Sequence, residues 1–128
     1  SSQKVTDSDK VYQILMKDWN KNTIELIEEF KVILLNNSNE VLGIWIMSKG
    51  GMTGVTVDLK LLFSVVLKSC ATAIITAHNH PSGKLLPSLA DEKMYDKIKK
   101  GCSFLGINYL DNLIVTKEGK YSFADEYK

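Results

Sequence analysis

His78-Asn79-His80-Pro81-Ser82-Gly83-Lys84-Leu85-Leu86-Pro87-Ser88-Leu89-Ala90-Asp91 places both histidines of the chain two residues apart and follows them with a serine and an aspartate. On an extended backbone residues i and i+2 point to one face, so His78 and His80 can present two imidazoles to one ion. Pro81 disfavours helical geometry at the residue before it and so holds His80 extended. Two neutral imidazoles and one carboxylate suit a catalytic Zn²⁺ that keeps its fourth position for water, with Asp91 as the natural third ligand. The same letters have plainer readings. His-x-His is common in strands and loops, and Ser88-Leu-Ala-Asp91 is equally a capping box, in which a hydroxyl and a carboxylate satisfy the N–H groups that open a helix. Asp91 is expected not to give the same lone pairs to both a backbone N–H and a metal.

Outward from this stretch, Ala71 to Ala77 reads as a buried strand that leads straight into His78. Residues 81–87 form a loop, and a helix runs from Ser88 to about Lys100 with Asp91 in its first turn. The ligands then come from two rigid elements, a strand end and a helix start. Upstream, Asp58 caps a helix from Leu59 to about Ser69 whose Leu62, Phe63, Val65 and Val66 give a broad apolar face. Phe30 to Leu35 and Val41 to Met47 are β-rich runs separated by Asn36-Asn-Ser-Asn39, the composition of a hairpin turn. Gly50, Gly51 and Gly54 mark an irregular loop near a substrate approach. A first helix starts at Asp7-Ser8-Asp9, uses Val11, Ile14, Leu15 and Met16, and ends near Trp19. Downstream, Ile107 to Val115 is a strand and Lys120 to Phe123 a last short one. The expected architecture is α+β or mixed α/β. It is a single domain over 1–128, with an N-terminal helix and connector at 1–23 and the core at 24–128.

Composition agrees with one domain: 128 residues, 45% of them hydrophobic, suffice for one core and not for two. A net charge of +1 supplies no general drive toward nucleic acid or anionic membrane. Lys93, Lys97, Lys99 and Lys100 read as a solvated helix face. Cys70 and Cys102 lack the spacing of a zinc ribbon or redox pair and read as small, reduced packing residues. No leader pattern and no apolar run near the ~20 residues of a membrane span is present, so a cytoplasmic location is expected.

His78-x-His80, seven residues, Ser88, two residues and Asp91 reproduce the H-x-H-x(7)-S-x(2)-D signature of the JAB/JAMM (MPN+) metalloproteases. The flanking His-Asn-His-Pro-Ser-Gly at 78–83 and the Pro87-Ser88 pair resemble the RadC family, bacterial members once associated with DNA repair. The similarity runs from about Ile27 to about Phe123. It implies a cytidine-deaminase-like JAB fold, a curved mixed β-sheet flanked by helices. It also implies one Zn²⁺ per chain on His78, His80 and Asp91, with Ser88 steadying the water or oxyanion. An upstream glutamate would act as general acid/base. Glu28, in Glu28-Glu29-Phe30, fits the family's Glu-x-Phe. Glu29 would point to the opposite face of a regular strand, so the two cannot both reach the metal water.

Some positions depart from the family pattern. Asp111-Asn112 stands where relatives show Asp-His, Gly50-Gly51-Met52 where they show Gly-Thr/Ser-Leu, and Lys60-Leu61 where they show Arg-Glu. The helix-hairpin-helix module of fuller RadC proteins has no counterpart in these residues. The leading expectation is a zinc hydrolase acting on a peptide or isopeptide substrate. The alternatives are a catalytically silent metal-binding scaffold and a DNA-associated repair role. A zinc deaminase is excluded, because it needs His-x-Glu with Cys-x-x-Cys.

Overall fold

The computed structural model describes residues 3–50 and 57–127. The β-rich runs become β1 (Glu29–Leu35) and β2 (Val41–Lys49), and the apolar run before the histidines becomes β3 (Ala73–Asn79). β4 (Asn108–Thr116) and β5 (Gly119–Ser122) complete a five-stranded sheet in the order β2-β1-β3-β4-β5. All neighbours are antiparallel except β3 and β4, which are parallel. A parallel pair needs a crossover, and α3 (Leu89–Leu105) supplies it.

Alternation along the strands sorts the core into two layers. Ile33, Leu35, Ala73, Ile75, Ala77, Leu113 and Val115 pack with Val11, Ile14 and Leu15 of α1 (Ser8–Asp18). Phe30, Val32, Leu34 and Ile74 pack with Leu62 and Val66 of α2 (Leu59–Lys68) and with Ile98 and Cys102 of α3. Every residue of β1 and β3 is buried, as a sheet covered on both faces demands. One buried residue is a lysine: Lys31 bonds Asp18 Oδ2 at 2.8 Å and lies 4.2 Å from the centre of the Trp19 ring, at the C-terminal end of α1. No described helix is long and apolar enough to cross a membrane.

The elements depart from the sequence expectation at three places. Cys102 is buried, but Cys70 is exposed and takes φ 59°, so it is a turn residue and not a packing one. The final strand stops at Ser122, whose side chain caps a four-residue helix, α4 (Phe123–Glu126). Helix α3 continues past Lys100 through Gly101 to Leu105 and ends at Gly106, which adopts φ 72° as a left-handed cap. Gly101 belongs inside the helix because α2 crosses close by: a methyl built there would overlap the Phe63 ring. Gly51 and Gly54 of the glycine loop lie outside the described residues.

Gly101 gives a test of this packing. In an open helix Gly→Ala gains about 1 kcal/mol, whereas forcing a methyl into a packed contact costs about 1–3 kcal/mol. Gly101→Ala is therefore expected to lower stability by about 1 kcal/mol in urea unfolding. In a Phe63→Leu background the same change should become stabilising, and a gain in the wild-type background would refute the close crossing.

Candidate metal centre

The site forms at the carboxyl end of β3, where the parallel pair and its crossover helix meet, the usual place for a ligand in such sheets. His78 pairs with Phe30 on β1 and Ile114 on β4 and shares a face with Ile74 and Thr76. Its ring stacks on Phe30 at 6.0 Å between centroids and 9° between planes. His80 follows the strand end yet remains pinned, its N–H donating to Val115 O at 3.2 Å. His80 O accepts from the N–H of Gly83 at 2.9 Å, in a turn where Gly83 takes φ 85°. His80 Nδ1 lies 2.8 Å from Lys84 O. A carbonyl only accepts, so Nδ1 carries a hydrogen, and in the neutral ring it is Nε2 that offers a lone pair.

Asp91 enters from the first turn of α3. Its Oδ1 lies 3.1 Å from His78 Nε2 and its Oδ2 lies 3.0 Å from His80 Nε2, while the two Nε2 atoms are 3.2 Å apart. Ligands at about 2.0–2.1 Å in a tetrahedron stand roughly 3.3 Å from one another, so this set fits one zinc-sized ion with little rearrangement. The capping box is also present: Asp91 N donates to Ser88 Oγ at 3.0 Å, and Ser88 N donates to Asp91 Oδ2 at 2.9 Å. Asp91 serves cap and site together without giving the same lone pairs to both. Each carboxylate oxygen has two lone pairs, and the cap draws on one of the four. Burial alone would raise the pKa of Asp91, but bonds from His78 and His80 and from the Ser88 N–H outweigh it and hold the group well below the carboxylate range. For His80, burial acts downward, and the bonds to Asp91 and to Lys84 O overcome it to raise the pKa.

Glu28 immediately precedes β1, is half-buried, and lies with His78 and His80 in a group whose ligand atoms are all within 4.8 Å. Two carboxylates thus share the histidine pair. The tighter one, Asp91, touches both rings, and Glu28 stands further off. Burial raises the Glu28 pKa, against the lowering influence of His78 and His80. Glu29 is buried on the other face, its Oε2 3.9 Å from Lys31 Nζ. The register that sets Phe30 opposite His78 thus puts the two glutamates on opposite sides of the sheet. A cavity of about 490 Å³ opens on the site. Glu28, His78, His80, Ser88 and Asp91 all line it, with Met94, Tyr95, Ile98 and Tyr109 as the more apolar wall.

Several neighbours fall where the sequence did not place them. A backbone carbonyl serves the second N–H of His80, and Ser82 Oγ accepts from Lys84 N. Asn79 faces away from the rings. Thr76 Oγ1 bonds Tyr109 Oη and donates to Asn112 Oδ1 at 2.7 Å, so Asn112 closes a buried polar chain beside the cavity. His78 Nδ1 is buried without a hydrogen-bond partner among the described residues.

A family model for the RadC-like JAB domain matches residues 5–128. A UPF0758 protein of Flavobacterium johnsoniae is 48% identical over 99 residues, 77% of this chain and 43% of that protein. A UPF0758 protein of Porphyromonas gingivalis is 39% identical over 100 residues, 77% of this chain and 44% of that protein. One from Photorhabdus laumondii is 39% identical over 98 residues, 77% of this chain and 43% of that protein. The chain thus spans less than half the length of these relatives.

Proposed function

Because the chain belongs to the RadC-like JAB family, we propose that it is a zinc-dependent hydrolase of amide bonds with a peptide or isopeptide substrate. The observation that carries this reading is the convergence of His78, His80 and Asp91 within 3.0–3.2 Å at a cavity that also holds Glu28. Zinc held by His78, His80 and Asp91 would lower the pKa of its water from about 15.7 toward about 7 and polarise the scissile carbonyl. Glu28 takes the proton from the attacking water and returns it to the leaving amine as the C–N bond breaks. Ser88 Oγ accepts from Asp91 N, which leaves its own O–H as a donor toward the developing oxyanion. Donors of this kind contribute about 2.7–4 kcal/mol in comparable acyl transfers.

The charge of the cavity favours this chemistry over phosphodiester cleavage. All sixteen basic residues of the chain are lysines, so no guanidinium is available for bidentate phosphate contacts. Among the described residues the cavity is lined by Glu25, Glu28 and Asp91 and by no lysine. An anionic backbone would find no cationic side chain to hold it in this cavity, whereas a neutral amide needs none.

Elemental analysis of the purified chain, paired with a panel of peptide and isopeptide substrates, tests the proposal. The expected result is about one zinc per chain and amide cleavage that stops on chelation. Cleavage that survives full removal of metal would overturn it, and so would metal-dependent cleavage confined to nucleic acid.

A further inference from the structure

The peptide unit joining Glu28 to Glu29 is gripped at both edges. Glu28 O accepts from Gly50 N at 2.8 Å, and Glu29 N donates to Asn79 Oδ1 at 2.8 Å. Asn79 is 0% exposed, and its Nδ2 donates to Ile24 O at 2.7 Å and to Ile27 O at 2.9 Å. All three bonds of this side chain therefore go to residues 24–29, the connector that delivers Glu28. The segment is not part of a strand until Glu29, so its carbonyls have no ladder to bond. A carboxamide suits the task because it carries one acceptor and two donors in one plane.

Asn79 sits between the two histidines, and strand alternation turns it to the sheet face opposite theirs. The single step His78-Asn79-His80 thus aims two imidazoles at the cavity and anchors, from behind, the segment that bears the glutamate. We propose that Asn79 is the positioning residue of Glu28, setting its distance from the histidine pair by clamping the connector to their strand. This rests on the functional reading above, in which Glu28 is the base. Misplacing a reacting group by about 1 Å can cost about 100-fold in rate, so such a clamp has consequence.

The test is a cycle of Co²⁺ affinities for the wild-type chain, Glu28→Gln, Asn79→Ala and the double variant, with the Co²⁺ visible spectrum recorded for each. Losing a group that supports a metal site from outside its ligand shell costs about 10-fold or more in affinity. The expected result is a similar loss of about 10-fold for each single variant, no further loss in the double, and an unchanged tetrahedral spectrum. A residue that merely held β3 together would lower affinity again in the Glu28→Gln background, and that multiplied loss would overturn the proposal. An Asn79→Ala chain with wild-type affinity would overturn it equally. Should the alanine variant not fold, Asn79→Asp has the same size and retains the acceptor for Glu29 N but, as a carboxylate, loses both donors to Ile24 O and Ile27 O. It should keep the Glu29 amide protected from hydrogen exchange and still lose about 10-fold in Co²⁺ affinity, to the level of Glu28→Gln; wild-type affinity would refute the clamp. A wild-type chain that takes up no Co²⁺ would fail the metal-centre reading itself, while amide exchange at Glu29 would still report whether Asn79 holds the connector.

Discussion

His80→Ala is expected to abolish stoichiometric zinc binding while leaving the sheet intact. His80 provides one of three groups that meet within 3.0–3.2 Å. Loss of supporting groups outside the ligand shell already costs about 10- to 100-fold in metal affinity, so loss of a ligand should exceed about 100-fold. The fold should survive, because His80 lies beyond β3 and Asp91 retains its cap bonds to Ser88. A second signature comes from pH. The pKa of His80 is raised in the folded metal-free chain. Its contribution to stability is then fully present below the ordinary value of about 6.5 and is lost as pH rises through the higher folded value. Metal-free wild type should exceed His80→Ala in thermal stability by more at pH about 6 than at pH about 9. Zinc should reverse the trend in wild type only, since binding requires the neutral imidazole. Full zinc occupancy in His80→Ala, measured by elemental analysis, would remove His80 from the ligand set.

How much of this was legible in the sequence depended on how local each interaction is. His78 and His80 are two residues apart, Ser88 and Asp91 three, and the intervening loop and helix start are signalled by Pro, Gly and Ser. Strand periodicity and the caps at Asp7, Asp58 and Ser88 reach only one helical turn, so the elements could be read with boundaries a few residues off. Gly101 misled because a glycine suggests a helix end, and its reason for lying inside α3 is Phe63, 38 positions away on another helix. The burial of Lys31 depends on Asp18 and Trp19, which an apolar strand pattern does not reveal.

Asn79 shows the same limit more sharply. Its partners lie 50 to 55 positions upstream, and nothing in His-Asn-His indicates which way the amide turns except the alternation of an extended chain. The double use of Asp91 was illegible for another reason. Both readings were present in the letters, and only the folded geometry shows Oδ2 accepting from Ser88 N while it also faces His80 Nε2. The choice between Glu28 and Glu29 likewise required a register, since a one-residue slip of β1 would exchange their faces.

That register leads to the second large effect. Glu28→Gln is expected to retain about one zinc per chain at saturation and to lower kcat by about 100- to 10,000-fold, the range for removal of a general acid–base group. The substitution preserves size and removes only the proton-accepting carboxylate, so loss of turnover with metal retained separates base from ligand. Burial raises the pKa of Glu28, which makes it a stronger proton acceptor than an exposed glutamate and brings it nearer the leaving amine's requirement. The acidic limb of kcat/KM in the wild type should report the titration of this carboxylate, and that limb should vanish in Glu28→Gln. Glu29→Gln is the control. Glu29 lies beside Lys31 on the opposite face of the sheet, so its loss should lower stability and leave turnover within a few-fold of wild type. If Glu29→Gln silenced the chain and Glu28→Gln did not, the base would have to reach the cavity from the other side of β1, which the pairing of Phe30 with His78 forbids; the register of β1 against β3 would then be wrong by one residue.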